Sequence, residues 1–168
     1  MKRLIVLLFA VCMFSQGSLW AQDAPKAEIF GGFSVLRVSA GGIGTTAYGW
    51  QGSIAGTVSD RVSLVGDFGG QYKNEIHRYQ YMGGIQGSKR TDTIRYFGHA
   101  LYGAQTTGGG STANVTSFLM AYGVGVDVKA GDKVAVRAIQ ADWLPARVGG
   151  SWLESQFRFG FGLVFLAE

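Results

Sequence analysis

Few side chains in this sequence could do chemistry, and they are spread singly along it. The ionisable candidates are Glu28, Asp67, Arg78, Arg95, His99, Asp127, Arg137 and Arg158, so any shared role needs a fold that gathers them. His77 and His99 fall on different segments and opposite faces, which makes neither a metal pair nor a triad. Cys12 is the single cysteine and lies in the N-terminal apolar run, which leaves the rest of the chain without a disulfide or a thiolate metal site. Gly42-Ile-Gly44-Thr-Thr-Ala47 matches a dinucleotide loop by letter. Such a loop must open a helix, and the segment after it alternates at period two. No cofactor and no catalytic group is expected.

The elements that must position these residues alternate at period two. In the last of them, Ser155 to Phe165, Phe157, Phe159, Phe161, Leu163 and Phe165 share one face, and Arg158, Gly160, Gly162 and Val164 the other. The first strand is read over Ala27 to Val38, with Ile29, Gly31, Phe33 and Val35 opposite Glu28, Phe30, Gly32 and Ser34; Phe30 and Leu36 blur its pattern. Strands follow at Tyr48 to Ser59, Val62 to Tyr72, Ile76 to Ser88, Ile94 to Gln105 and Val115 to Val128. The seventh begins with Val134, Val136 and Ala138 on its apolar side, and keeping that phase would put Gln140 and Asp142 there too. A bulge near Ala138-Ile139 would return both to the polar side. Ser39 to Ala47, Thr106 to Asn114 and Ala146 to Trp152 read as long loops at one end; the connections at Asp60 and Gly131 are tight. That rhythm is an up-and-down barrel.

Lys2 and Arg3, the apolar run Leu4 to Phe14 and Ala21 read as a secretory signal over residues 1–21, leaving 22–168 as one barrel domain. The run is too short to span a bilayer as a helix. Without Lys2 and Arg3, the 15 Lys and Arg against 11 Asp and Glu leave a balance of +2 and no basic cluster, which excludes nucleic acid as a partner. The 27 glycines with only 2 prolines mark close backbone approach inside strands rather than disorder.

Period two does not say which face is buried. The polar face is mostly Ser, Ala, Gly, Thr and Gln, where a water-facing sheet would carry many Lys and Glu, and small residues suit the filled interior of an eight-stranded barrel. Tyr48, Trp50, Tyr72, Tyr79, Tyr102, Trp143 and Trp152 fall at similar depth near the outer loops, as an interfacial aromatic girdle would. With the apolar face outward, Glu28, Asp67, Arg78, Arg95, His99, Asp127, Arg137 and Arg158 form a lumenal polar network, with Asp67 and Asp127 facing Arg95, Arg137 or Arg158.

The last strand also carries Arg158-x-Gly160-x-x-Leu163-x-Phe165. Here the chain resembles small outer-membrane β-barrel proteins of the OmpA-type transmembrane-domain superfamily, whose closing strand carries a polar-x-Gly-x-x-apolar-x-apolar signal. The resemblance implies insertion by the barrel assembly machinery, contact with outer-membrane lipid and residence in a bacterial outer membrane. One departure is that Leu166-Ala167-Glu168 follow the final aromatic residue. The expectation is an all-β, eight-stranded antiparallel up-and-down transmembrane β-barrel with a structural, adhesive or narrow-pore role. Two alternatives stand beside it: a soluble lipocalin-like barrel with the aromatic face inward around an apolar ligand, and a lipid-modifying outer-membrane enzyme using His77.

Overall fold

Segments that alternate for nine to eleven residues, such as Phe157 to Phe165 and Tyr48 to Val58, carry one apolar and one small or polar face each. Eight of them can satisfy both faces by closing on themselves. The computed structural model describes residues 25–40, 43–110, 112–153 and 156–167; the signal read over residues 1–21 lies outside the described residues. The strands are β1 (Ala27–Ala40), β2 (Ile43–Ser59), β3 (Val62–Lys73), β4 (Ile76–Arg90), β5 (Ile94–Gly109), β6 (Thr112–Lys129), β7 (Val134–Trp143), the short β8 (Ala146–Val148) and β9 (Ser151–Leu153), and β10 (Gln156–Ala167). Each long strand pairs antiparallel with the next, β7 pairs with β10, and β10 closes the ring on β1 from Ala27↔Ala167 to Val38↔Gln156.

The stagger of the ring can be read from its register. From Val35, one path runs through Tyr48, Tyr72 and His77 to Gly108; the other runs through Phe159, Ala141 and Val124 to Gly98. The paths meet on β5 ten residues apart. Eight strands with that stagger tilt by about 40°, and residues at equal depth shift by roughly one and a quarter positions per strand.

Outward side chains are apolar throughout the wall: Phe157, Phe159, Phe161, Leu163 and Phe165 are each 43–52% exposed, and Ile29, Ile54, Leu64, Ile85 and Val124 are exposed alike. Runs of nine to eleven residues at this tilt match the length a strand needs to cross a bilayer. The lipocalin-like alternative needs the aromatic face inward, and this barrel turns that face outward. Phe30 and Leu36, which blur the first strand, point inward and are buried.

Two of the three loops read from the sequence are strand. Ser39 to Ala47 continues the β1–β2 ladder as far as Ala40↔Ile43, and Thr106 to Asn114 continues β5–β6 as far as Gly109↔Thr112. Their Gly, Ser and Thr composition disguises strands that have left the apolar band, where no alternation is required. Trp50 therefore lies well inside β2 rather than at its end. The third, Ala146 to Trp152, holds the β8–β9 hairpin, with β8 extending the pairing of β6 at Phe118↔Arg147 and Leu119↔Ala146. Gly149 and Gly150, at φ 57° and 86°, form its two-residue turn, where L side chains would be strained.

The expected bulge is present. Val126 pairs with Ile139 and Asp127 with Arg137, leaving Ala138 unpaired, and Gln140 and Asp142 are buried while Trp143 is exposed. Gly32 faces Gly162 across the β1–β10 closure, where an added Cβ would come within 2.1 Å of the Phe161 carbonyl and 2.3 Å of the Gly31 carbonyl respectively. Deleting Ala138 is expected to force either Gln140 and Asp142 towards lipid or Val134 and Val136 into the lumen. The yield of heat-sensitive folded band on refolding into detergent should fall at least tenfold, and a deletion chain that refolds like the parent would show that the bulge does not set the phase.

Candidate functional site: the lumenal ion-pair ladder

Inward positions on seven strands bring four carboxylates and four guanidiniums into one ladder. At the inner mouth Glu28 pairs with Arg90 and Arg95. Arg95 turns to Asp127, with Nε 3.1 Å from Oδ2, and Arg137 Nε donates to the other oxygen of that carboxylate at 2.8 Å. The Arg137 guanidinium lies between two rings, 4.1 Å from the centroid of Phe30 and 4.3 Å from that of Phe97. Its Nη1 donates to Gln140 Oε1 at 2.7 Å, and Gln140 Nε2 donates to Asp142 Oδ2 at 2.9 Å.

Arg158 completes the ladder and is wholly buried. Its Nε donates to Asp142 Oδ2 and its Nη1 to Asp67 Oδ1, each at 2.8 Å, with Gln80 Oε1 accepting from Nη1 at 3.2 Å. Gln51 Nε2 donates to Asp67 at 2.7 Å, and His99 Nε2 donates to Asp142 Oδ1 at 3.0 Å. A Cβ on Gly123 would stand 2.0 Å from Asp142 Oδ1 and 2.5 Å from His99 Nε2, so that glycine makes room for the pair. Sites that hold charge away from water need this density of partners, since one unpaired ion there costs several kcal/mol, on the order of 3–5.

Of the eight inward residues singled out from the sequence, seven join the ladder; Arg78 does not. It donates to Thr107 Oγ1 at 3.1 Å and to Gln156 Oε1 at 2.9 Å, near the outer end. Around it Gln71 Oε1, Gln105 Oε1 and Gln156 Nε2 are buried without a partner among the described residues. The outer third of the lumen is thus lined by amides around a single guanidinium that has no carboxylate partner among the described residues, whereas the inner two thirds are locked by ion pairs. The sequence list lacked Arg90, hidden in a charged turn, and Asp142, whose phase the bulge had already signalled. Leu36, Leu101, Leu119, Leu144 and Met82 fill the lumen beside the ladder.

On the outer face, Tyr48, Trp50, Tyr72, Tyr79, Tyr102 and Trp143 lie in one band towards the outer end once the stagger is allowed for, each 40–56% exposed. Tyr81 and Tyr122 belong with them. Neighbours touch: Tyr72 and Tyr79 at 6.1 Å, Tyr102 and Tyr122 at 6.1 Å, and Tyr122 and Trp143 at 6.0 Å between ring centroids. Trp152 sits higher, on β9. His77 faces outward, 5.4 Å from the Tyr79 ring, and no serine or carboxylate among the described residues bonds to it.

No protein-family model matches the chain, and no curated relative matches it by sequence. Solved structures do match by shape. Neisserial surface protein A superposes with a TM-score of 0.70 at 12% identity, covering 86% of this chain and 99% of that one. The N-terminal β-barrel domain of OprF from Pseudomonas aeruginosa gives 0.60 at 15% identity, covering 85% and 98%. The attachment invasion locus protein Ail of Yersinia pestis, in complex with the heparin analogue sucrose octasulfate, gives 0.58 at 13% identity, covering 85% and 99%.

Replacing Arg158 by Met should leave Asp67 and Asp142 buried without their shared counter-ion and lower unfolding stability by about 3–5 kcal/mol. Adding Asp67→Asn and Asp142→Asn should recover most of that loss. Urea unfolding in detergent micelles checks both; equal stability of all three chains would mean that the ladder contributes nothing. With its eight antiparallel strands closed up-and-down, its apolar wall outside and its charges within, the chain has the fold of the small outer-membrane β-barrels.

Proposed function

We propose that this chain is an exported, integral protein of the bacterial outer membrane whose barrel is a closed, non-enzymatic scaffold with a structural or adhesive role. The observation that carries the reading is the division of faces: an apolar band of bilayer length outside and a charge-balanced ladder inside. A soluble protein has no use for that much exposed apolar wall. The residues 1–21 serve export, and Arg158, Gly160, Leu163 and Phe165 form the signal that the assembly machinery reads. Tyr48, Trp50, Tyr72, Tyr79, Tyr102 and Trp143 anchor the wall in the outer interface, where amphipathic rings prefer to sit, and Trp152 stands above them on the β8–β9 hairpin.

The ladder argues against an open pore, because an ion crossing it would have to displace paired charges in sequence. The β1–β2 and β5–β6 hairpins extend beyond the aromatic level as paired strand and give the scaffold firm outer edges on which to meet other surfaces. Mature protein should remain in carbonate-washed outer membranes and should shift in electrophoretic mobility only after boiling in detergent, because all spanning backbone is paired within the wall. A freely soluble chain with no shift would overturn the reading.

A further inference from the structure

We infer that the outer third of the lumen is a binding site for a sugar acid, with Arg78 as the contact for its carboxylate and Gln71, Gln105 and Gln156 as the contacts for its hydroxyls. The inference rests on the outer-membrane reading, which turns this end of the lumen to the outside of the cell, and it gives the barrel a ligand there.

Charge is the first support. Arg95, Arg137 and Arg158 each meet a carboxylate inside the lumen, and Arg90 meets Glu28 at its inner mouth. Arg78 meets none among the described residues. Its Nε donates to Thr107 Oγ1 and its Nη1 to Gln156 Oε1, both neutral, and no bond from Nη2 is found among the described residues. The charges that follow and precede it on the same rim, Lys73 and Glu75, are exposed, and Glu75 leans over the β5–β6 turn, its Oε2 3.3 Å from where a Cβ on Gly110 would stand. Arg78 therefore keeps a positive charge without a counter-ion, and the planar fork of one guanidinium matches one carboxylate.

The amides are the second, independent support. Gln71, Gln105 and Gln156 are each no more than 2% exposed. Two acceptors, Gln71 Oε1 and Gln105 Oε1, and one donor, Gln156 Nε2, have no partner among the described residues. The register gathers them: Arg78 lies opposite Gln71 on β3 and Thr107 on β5, Gln105 is the next inward position below Thr107, and Gln156 is joined to Arg78 across the lumen. Buried amide atoms without partners are costly, and a hydroxyl, which both donates and accepts, satisfies either kind.

Access runs in the same order. Arg78 is partly exposed and the amides are not, so a ligand entering from the outer mouth meets the guanidinium first and reaches the amides as that side chain turns aside. The entry is walled by the β1–β2 and β5–β6 ladders, which continue above Arg78 to Ala40↔Ile43 and Gly109↔Thr112. An eight-stranded interior has room for one small ligand. Sulfate offers no donor to the two acceptors, a neutral sugar leaves the guanidinium without a counter-ion, and an apolar acid leaves the amides unpaired.

The test is isothermal titration calorimetry of the detergent-folded barrel, at constant ionic strength, with methyl glucuronide, methyl glucoside, cyclohexanecarboxylate and sulfate. Methyl glucuronide should bind at least about tenfold more tightly than each of the other three. The R78Q chain should lose that margin and keep its boiling-dependent mobility shift, since Arg78 lies outside the ladder. The Q105L chain leaves the charge in place, should narrow the margin over cyclohexanecarboxylate by roughly threefold or more, and carries the test if R78Q does not fold. A parent that shifts on boiling yet binds no glucuronide, a parent that binds cyclohexanecarboxylate or sulfate equally well, or folded variants that bind as the parent does would overturn the site. An oligosaccharide ending in glucuronate that binds as tightly would place the ligand on a surface glycan and support an adhesive role; its exclusion would confine the site to free sugar acids and overturn that role for it. A chain that neither stays in membranes nor shifts on boiling would instead overturn the outer-membrane reading itself.

Discussion

Charge that cannot reach water must find charge of the opposite sign, and in this barrel Arg158 is where that requirement is met most sharply. One guanidinium, with no exposed surface, holds Asp142 from β7 and Asp67 from β3 on opposite sides of the lumen. β10, on which it sits, is also the strand that closes the ring on β1. The closure is therefore fixed twice, by a backbone ladder in the wall and by a side chain that ties the seam to the far side. The polar residue of the closing strand's Arg158-x-Gly160-x-x-Leu163-x-Phe165 pattern is the residue the folded interior depends on.

The stagger of ten residues explains why so long a ladder fits. A tilted wall offsets successive inward positions in depth, so the partners on the neighbouring strands β5, β6, β7 and β10 climb in a spiral rather than a flat ring, and Glu28 and Asp67 join its two ends from across the lumen. Arg95, Asp127, Arg137, Asp142 and Arg158 follow that spiral upward from the inner mouth. Glycine supplies the width: Gly123 accommodates the His99–Asp142 pair, and Gly32 and Gly162 let two backbones approach where a side chain would collide.

Much of this was legible in the sequence because the bilayer enforces alternation. Inside the apolar band every second residue must be apolar, and strand identity, facing and even the bulge at Ala138 follow from that rule. Above the band the rule lapses. Ser39 to Ala47 and Thr106 to Asn114 look like loops because both of their faces are wet, and nothing in Gly, Ser and Thr distinguishes a hydrated strand from a turn. Pairing partners were hidden for a related reason. Period two shows that Arg78 and Arg95 point inward, but which carboxylate each meets depends on the stagger, which no single strand encodes. Arg78 accordingly finds Thr107 and Gln156, while Arg90, read as part of a turn, reaches Glu28.

The lumen is asymmetric along its axis, and the asymmetry bears on what the barrel can do. Ions lock the inner portion, whereas the outer third offers amides from Gln71, Gln105 and Gln156 with unused hydrogen-bonding atoms. Amides tolerate hydration and rearrangement at little cost, and an ion-pair ladder does not, because each partial break leaves a charge unpaired. The ion ladder thus lies within the apolar band, and above it the rim is held by the strand pairing of the β1–β2 and β5–β6 hairpins instead of by ions.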